Sequence, residues 1–330
     1  MDLPIFQQVD EQFNIMNILI TGGAGFIGSH LTKHYIDRGD SVFIIDNLIT
    51  GNKKNISALD SSKLTFFESD VCTFDYNQLP KMDVIYHMAS PASPIQYKKH
   101  PIETMMANSM GTKNVFDFAN KTASGNIVIA STSEVYGDPL EHPQKETYYG
   151  NVNSFGERSC YDEAKRFAEA LARSYIEKFN LNIRIIRIFN TYGPNMEIND
   201  GRVISNFITQ CLTNKPITIY GDGSQTRSFC YVSDLVKGLI QMGEKEGLQS
   251  EIINVGNPNE KTVLELANTI KSMIQSTSEI QFFKTDKDDP KKRKPDITKA
   301  QSILGWNPEV NLEDGLTKTI SYFKEALKTS

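Results

Sequence analysis

The chain has 330 residues, 39% of them hydrophobic, enough to build a sizeable core in one large domain or two closely joined ones. Its formal net charge is -5, which argues against a general affinity for nucleic acid. The four cysteines, Cys72, Cys160, Cys211 and Cys230, form no CxxC pair, so the expectation is a cytoplasmic protein with reduced thiols and neither a metal site nor a disulfide framework.

Residues 1–15 read as a polar, acidic N-terminal extension with no basic start and no long apolar run, so no signal peptide is expected. No stretch of about 18 apolar residues follows anywhere, and no membrane span is expected. Strand-like and helix-like segments then alternate. "NILIT" (17–21) is a short apolar run. Glycines follow it, then "FIGSHLTKHYIDRG", with helical spacing and Gly39 as its stop. Further strands are predicted at 41–46, 63–69, 83–89, 126–131 and 182–188. Continuous apolar runs of this kind suit parallel strands buried on both faces. Segments 101–120 and 157–179 are long enough to be crossover helices. The pattern is a doubly wound α/β sheet of Rossmann type over residues 1–188.

Beyond residue 188 the texture changes to loops rich in Gly, Asn and Asp, with helices predicted near 203–214, 233–245, 262–275 and 312–327. Residues 189–330 therefore read as a smaller mixed α/β lobe. It would cover the carboxyl edge of the sheet, where ligands bind in such folds.

Two motifs carry chemistry. In "TGGAGFIGSH", Gly22, Gly25 and Gly28 give GxxGxxG between a strand and a helix. Such a turn lets a pyrophosphate approach backbone N–H groups at the helix N-terminus. Asp46 ends the second strand, where a carboxylate takes the ribose hydroxyls of NAD and repels the 2′-phosphate of NADP. Asp70, after the third strand, is a candidate for the adenine edge, and Phe26, Ile27, Asn47, Val71 and Ala89 join the cofactor-binding set. In "CYDEAKR", Tyr161 and Lys165 share one helix face at i and i+4. A phenol near pKa 10 is a poor base at neutral pH, and an adjacent ammonium is expected to lower it. Thr132, at the end of the strand 126–131, is placed to bond the same substrate hydroxyl. Glu134 adds a carboxylate that simple alcohol oxidation does not need. As a purely structural residue it would cap the following turn.

With "ILITGGAGFIGSHL", "HMASPASP", "STSEVYGDP", "CYDEAKR", "RIFNTYGPNM", "DGRVISNFI", "YGDGSQTRSF" and "DDPKKRKPDI" in view, the chain resembles the extended short-chain dehydrogenase/reductase group of nucleotide-sugar enzymes. Within that group it is most similar to the UDP-glucuronate decarboxylases. The resemblance runs from about Asn17 to the last helix. It implies oxidation of C4 of UDP-glucuronate by bound NAD, loss of CO2, and reduction of the 4-ketone to UDP-xylose, with the NAD recycled. By resemblance, Tyr161, Lys165 and Thr132 form the redox centre, and Ser133, Glu134 and Arg293 serve the decarboxylation. Asn190, Arg202, Tyr220 and Arg227 hold the UDP-sugar, joined by Arg293. The dehydratases of the group typically carry Asp-Glu where this chain has Ser133-Glu134, which speaks against water elimination. Met106 stands where the resemblance leads one to expect a lysine near the substrate.

The resemblance also implies a homodimer built on the helix carrying Tyr161. The competing enzyme reading is an NAD-dependent nucleotide-sugar epimerase, such as a UDP-glucuronate 4-epimerase. A scaffold that had lost catalysis would be expected to lose Tyr161, Lys165 or Thr132, and all three are present. In the basic run 291–294, Lys291, Lys292 and Lys294 read as solvated charge. Arg293 reads as part of the site, with Pro290 and Pro295 stiffening its loop.

Overall fold

The structure, a computed structural model, describes residues 14–284 and 292–328. Most of the N-terminal extension, together with Pro290 and Lys291, lies outside the described residues.

Six apolar segments become strands close to where the sequence predicts them: β1 (Asn17–Thr21), β2 (Ser41–Asp46), β3 (Leu64–Glu68), β4 (Val84–His87), β5 (Asn126–Thr132) and β6 (Ile183–Ile188). Shorter strands follow: β7 (Thr191–Tyr192), β8 (Ile217–Tyr220), β9 (Thr226–Ser228), β10 (Cys230–Tyr231), β11 (Ile252–Val255), β12 (Glu260–Thr262), β13 (Ile280–Phe283) and β14 (Lys292–Arg293). The helices are α1 (Phe26–Arg38), α2 (Pro94–Lys99), α3 (Pro101–Met106), α4 (Thr112–Thr122), α5 (Ser159–Phe179), α6 (Val203–Leu212), α7 (Val232–Glu244), α8 (Val263–Ile274) and α9 (Leu312–Lys328). A π-type stretch, Ala107–Gly111, joins α3 to α4.

The central sheet has seven parallel strands in the order β11-β6-β5-β4-β1-β2-β3. Side chains alternate between its faces with the period of two that strands impose. Ile18, Ile20, Val42, Ile44, Val128 and Ile186 pack with α1 and α7. Leu19, Ile45, Ile85, Ile127, Ile129 and Ile185 pack with α4 and α5. Each face buries its own apolar set, which is why the runs read as continuously hydrophobic.

The seventh strand comes from far along the chain. β11 pairs with β6 in the register Ile252↔Ile185 to Val255↔Ile188. Together with α7 it completes the sheet that the sequence confines to residues 1–188, so the chain re-enters the first layer after building part of the second. β6 thereby becomes an internal strand, and β11 takes the edge position in its place. The rest of the second half forms the smaller lobe. There β8 pairs in parallel with β13, and β9 is flanked by β12 and β14.

Strand order reverses between β4 and β1, and a crevice opens at that point beyond the strands' carboxyl ends.

Candidate active site

A cleft of about 490 Å3 occupies that crevice and runs under the smaller lobe. Each of the twenty residues singled out in the sequence lines it, from Gly22 to Arg293. Met106 does not. It is 41% exposed on the outer surface, so the lysine expected there is not missing from the cleft wall.

At the cofactor end, Gly22 has φ +72, and a Cβ on it would meet Ala89 Cα at 2.9 Å. A Cβ on Gly28 would lie 2.1 Å from the Gly22 carbonyl oxygen, so only glycine lets α1 start this close to β1. α1 has no side-chain cap and no acidic residue in its first turn. Its open N–H groups and dipole are therefore available to an anion. The Asp46 carboxylate accepts hydrogen bonds from Ala24 N (3.0 Å) and Leu48 N (2.9 Å), which fixes it at the tip of β2. Burial raises its pKa and these two N–H groups oppose the rise. Asp70 accepts from Asn47 Nδ2 (2.9 Å) and from Cys72 N (2.8 Å), so it caps its own turn as well as facing the cleft. The glycine cradle, the open helix end and the buried carboxylate fit an adenine dinucleotide.

At the chemical end, Tyr161 and Lys165 are both buried on α5. Lys165 Nζ donates to the Ala130 carbonyl (2.7 Å) and lies 5.8 Å from the centre of the Tyr161 ring. Burial lowers its pKa to about 7. Tyr161 departs from the sequence expectation. Burial raises its pKa to about 12, helped by the carboxylates of Glu134 and Asp162, while Thr132 and Arg202 pull the other way. The protein's own groups therefore hold the phenol protonated at neutral pH, because desolvation outweighs the pull of Thr132 and Arg202.

Glu134 is the second residue of the short turn Ser133–Tyr136 after β5. Thr132 Oγ1 accepts from Glu134 N (3.2 Å), so the threonine caps that turn and the glutamate is free for another role. Its two carboxylate oxygens are held by separate guanidiniums, Arg293 on one and Arg158 on the other. Burial alone would raise the carboxyl, but the two arginines outweigh it and hold Glu134 low. Arg293 is 2% exposed. It also donates to Ser133 Oγ (3.2 Å) and the Gly137 carbonyl (2.8 Å), which brings the three residues read as serving decarboxylation into one contact. Both terminal nitrogens thus serve protein groups, and the guanidinium acts on the cleft from within this cluster. Lys292 is exposed and Lys294 pairs with Glu260 (3.6 Å), so both are the surface charges the sequence suggests.

Arg293 on β14 stands in register with Arg227 on β9, and both are buried. Both also line the cleft, so this strand pair carries two guanidiniums to the wall between the lobes. Arg202 is bidentate to Asp200 (2.5 and 2.8 Å) and sits 5.9 Å over the Phe26 ring, tying the smaller lobe to the start of α1. Asn190 and Tyr220 complete this wall.

Three further residues escaped the sequence reading. Arg158 lies three residues before Tyr161, so the helical spacing that links Tyr161 to Lys165 would have found it if extended upstream. Asp162 pairs with Arg158 (3.8 Å); burial and then Glu134 raise its pKa. Tyr97 lies on α2 just beyond "ASPASP", where nothing local distinguishes it from a core aromatic.

A glycine turn and a Tyr-Lys helix beneath one crevice define a dinucleotide-dependent enzyme of the short-chain dehydrogenase/reductase type. The chain belongs to the NAD dependent epimerase/dehydratase family, which it matches over residues 18–256. It is 50% identical over 313 residues to UDP-glucuronic acid decarboxylase 1 of Arabidopsis thaliana, covering 94% of this chain and 71% of that one. It is 49% identical to UDP-glucuronic acid decarboxylase 1 of Danio rerio, covering 94% and 73%. Among solved structures, UDP-glucuronic acid 4-epimerase from Bacillus cereus, in complex with UDP-glucuronic acid and NAD, aligns with a TM-score of 0.85 at 29% identity. That alignment covers 94% of this chain and all of the other.

Proposed function

We propose that the protein is an NAD-dependent UDP-glucuronate decarboxylase that releases CO2 and forms UDP-xylose. The observation that carries this reading is the Arg293–Glu134–Ser133 cluster, set in the same cleft as Tyr161 and Lys165. Epimerisation at C4 needs only the redox pair; decarboxylation gives the additional cluster a task.

NAD, when bound, would supply a hydride acceptor, a positive charge and, at the end of the cycle, the hydride donor. Tyr161 takes the proton of the C4 hydroxyl as C4 is oxidised, with Thr132 orienting that hydroxyl and Lys165 favouring the phenolate. The C4 ketone lies β to the carboxylate, so the C5–C6 bond breaks, its electrons pass to the ketone as an enolate, and CO2 leaves. Arg293, held by Glu134 and Ser133, supplies fixed positive charge toward the carboxylate and then the enolate. C5 takes a proton, the ketone is reduced, and Tyr161 gives its proton back. The net change consumes one proton and releases one CO2. Gly22, Gly25 and Gly28 would cradle the pyrophosphate of NAD, and Asp46 would take its ribose.

The same reading makes the protein a cytoplasmic homodimer, with all four thiols free. Ile102, Met106, Met110 and Phe167 are 66, 41, 44 and 50% exposed along the α3-to-α4 and α5 surface, an apolar face suited to a second copy.

The test is product analysis with UDP-glucuronate and NAD. CO2 and UDP-xylose without net NADH are expected. UDP-galacturonate as the only product would assign the epimerase reading instead.

A further inference from the structure

Beneath the cofactor end of the cleft lies a polar residue with no part in the chemistry. His87 ends β4, is 4% exposed, and sits between Thr21 and Thr112, both fully buried. Its Nδ1 is 2.8 Å from Thr21 Oγ1, and its Nε2 is 3.0 Å from Thr112 Oγ1.

The direction of every bond in this chain can be worked out. Thr21 Oγ1 accepts from Met88 N (3.1 Å) and Ala89 N (3.2 Å). A hydroxyl has two lone pairs and one proton, so the remaining Thr21 proton goes to His87 Nδ1. His87 is then the neutral tautomer with its proton on Nε2, which it donates to Thr112 Oγ1. The Thr112 proton goes to the Asn108 carbonyl (2.9 Å). Asn108 Nδ2 in turn donates to Ser90 Oγ (2.8 Å), and Ser90 donates to the Pro91 carbonyl (3.0 Å). Starting from the backbone of Met88 and Ala89, the chain returns to the same loop at Ser90. A protonated imidazole would direct an N–H at a threonine oxygen that already accepts from Ala89 N and shares the Met88 N–H with its own carbonyl. Burial, and then the charge of Lys165, also lower the His87 pKa, to about 3.

The loop so held is part of the dinucleotide cradle. Met88, Ala89 and Ser90 line the cleft, and Ala89 Cα abuts Gly22. The lower anchor, Asn108, lies in the π-type stretch, whose widened turn is the kind of local feature found at functional sites.

We propose that His87 is a positioning residue for the cofactor: through Thr21 and through Thr112 and Asn108 it fixes loop 88–90 against the glycine turn, and so sets NAD affinity. The inference rests on the reading of this cleft as an NAD site. Its test is calorimetric titration of cofactor-stripped protein with NAD and, separately, with UDP, which binds at the other end of the cleft. His87→Leu, which can neither accept from Thr21 nor donate to Thr112, is expected to weaken NAD binding about tenfold. Thr112→Val, nearly isosteric, is expected to weaken it about threefold, and Thr112→Ser to restore it. UDP affinity is expected to stay within about twofold throughout. Unchanged NAD affinity in folded Thr112→Val and His87→Leu overturns the proposal, as does a parallel loss of NAD and UDP binding, which would mark a general structural role. Failure of the parent protein itself to bind NAD would instead overturn the cofactor reading.

Discussion

Tyr97 lies flat against Tyr161, with ring centroids 5.1 Å apart and planes 7° from parallel. The stack walls one side of the phenol that exchanges protons with substrate. Offset-stacked rings contribute about 0.5–1.5 kcal/mol beyond their buried area. Tyr97→Leu is therefore expected to lower kcat/KM by about two- to tenfold. The Tyr97 hydroxyl is buried without a hydrogen-bond partner among the described residues, so Tyr97→Phe should keep the stack and leave Tm unchanged or higher. Steady-state kinetics with thermal melts separates the two. Equal damage from both variants would show that the hydroxyl, not the stack, matters.

Arg293→Ala removes one of the two guanidiniums that hold Glu134 ionised. Breaking a buried ion pair costs about 3–5 kcal/mol, so a marked fall in Tm is expected. Loss of its charge from the site should slow CO2 release by about 10²–10³. Arg293→Lys keeps the charge but cannot bond Glu134, Ser133 and Gly137 together, and should recover stability better than rate. Full-rate CO2 release by Arg293→Ala would remove it from the mechanism.

Asp46 holds its carboxylate on two backbone N–H groups and faces the cleft. Asp46→Asn keeps the shape and removes the charge. NAD affinity should fall about tenfold, and the preference for NAD over NADP should narrow, because no anion opposes the 2′-phosphate. Titration with both dinucleotides reads this directly; an unaltered preference would mean that discrimination lies elsewhere.

Lys165 provides a pH signature. Burial lowers its pKa in the folded state to about 7, from the ordinary lysine value of 10.5. Between these two values the unfolded chain binds the proton and the folded chain does not, so stability rises with pH across that window. Lys165→Met abolishes this contribution along with the redox chemistry. Relative to the variant, the parent should gain stability as pH rises from about 7 to about 10 and show no such gain below about 6. Denaturant midpoints across that range measure it, and parallel pH curves for the two proteins would contradict a lysine whose pKa burial has lowered.

The cofactor end was legible in the sequence because its signals are local. Gly22, Gly25 and Gly28 report backbone geometry at their own positions, and Asp46 follows a recognisable strand. The catalytic pair was legible because helical spacing fixes Tyr161 beside Lys165. Arg293 was legible only through the family resemblance; how it is held was not, since its contact with Ser133 joins positions 160 residues apart. The acidity of Tyr161 was misjudged for a related reason: adjacency to Lys165 can be read from spacing, but burial depends on the whole fold. Strands of two to four residues, such as β9, β11 and β14, are too short to show a period, so the small sheet that brings Arg293 to the cleft and the last strand of the main sheet were both missed.

That last strand has a consequence for the order of assembly on the ribosome. Until β11 emerges, a nascent chain can form β1 to β6 with its β6 edge unpaired, beside β5 and open to any strand from another chain. The main sheet, and with it the platform for Tyr161 and Lys165, closes only when residues 252–255 arrive. A chain cut after residue 188 would expose that edge permanently and tend toward aggregation, so the two halves of this protein cannot be separated where the sequence texture divides.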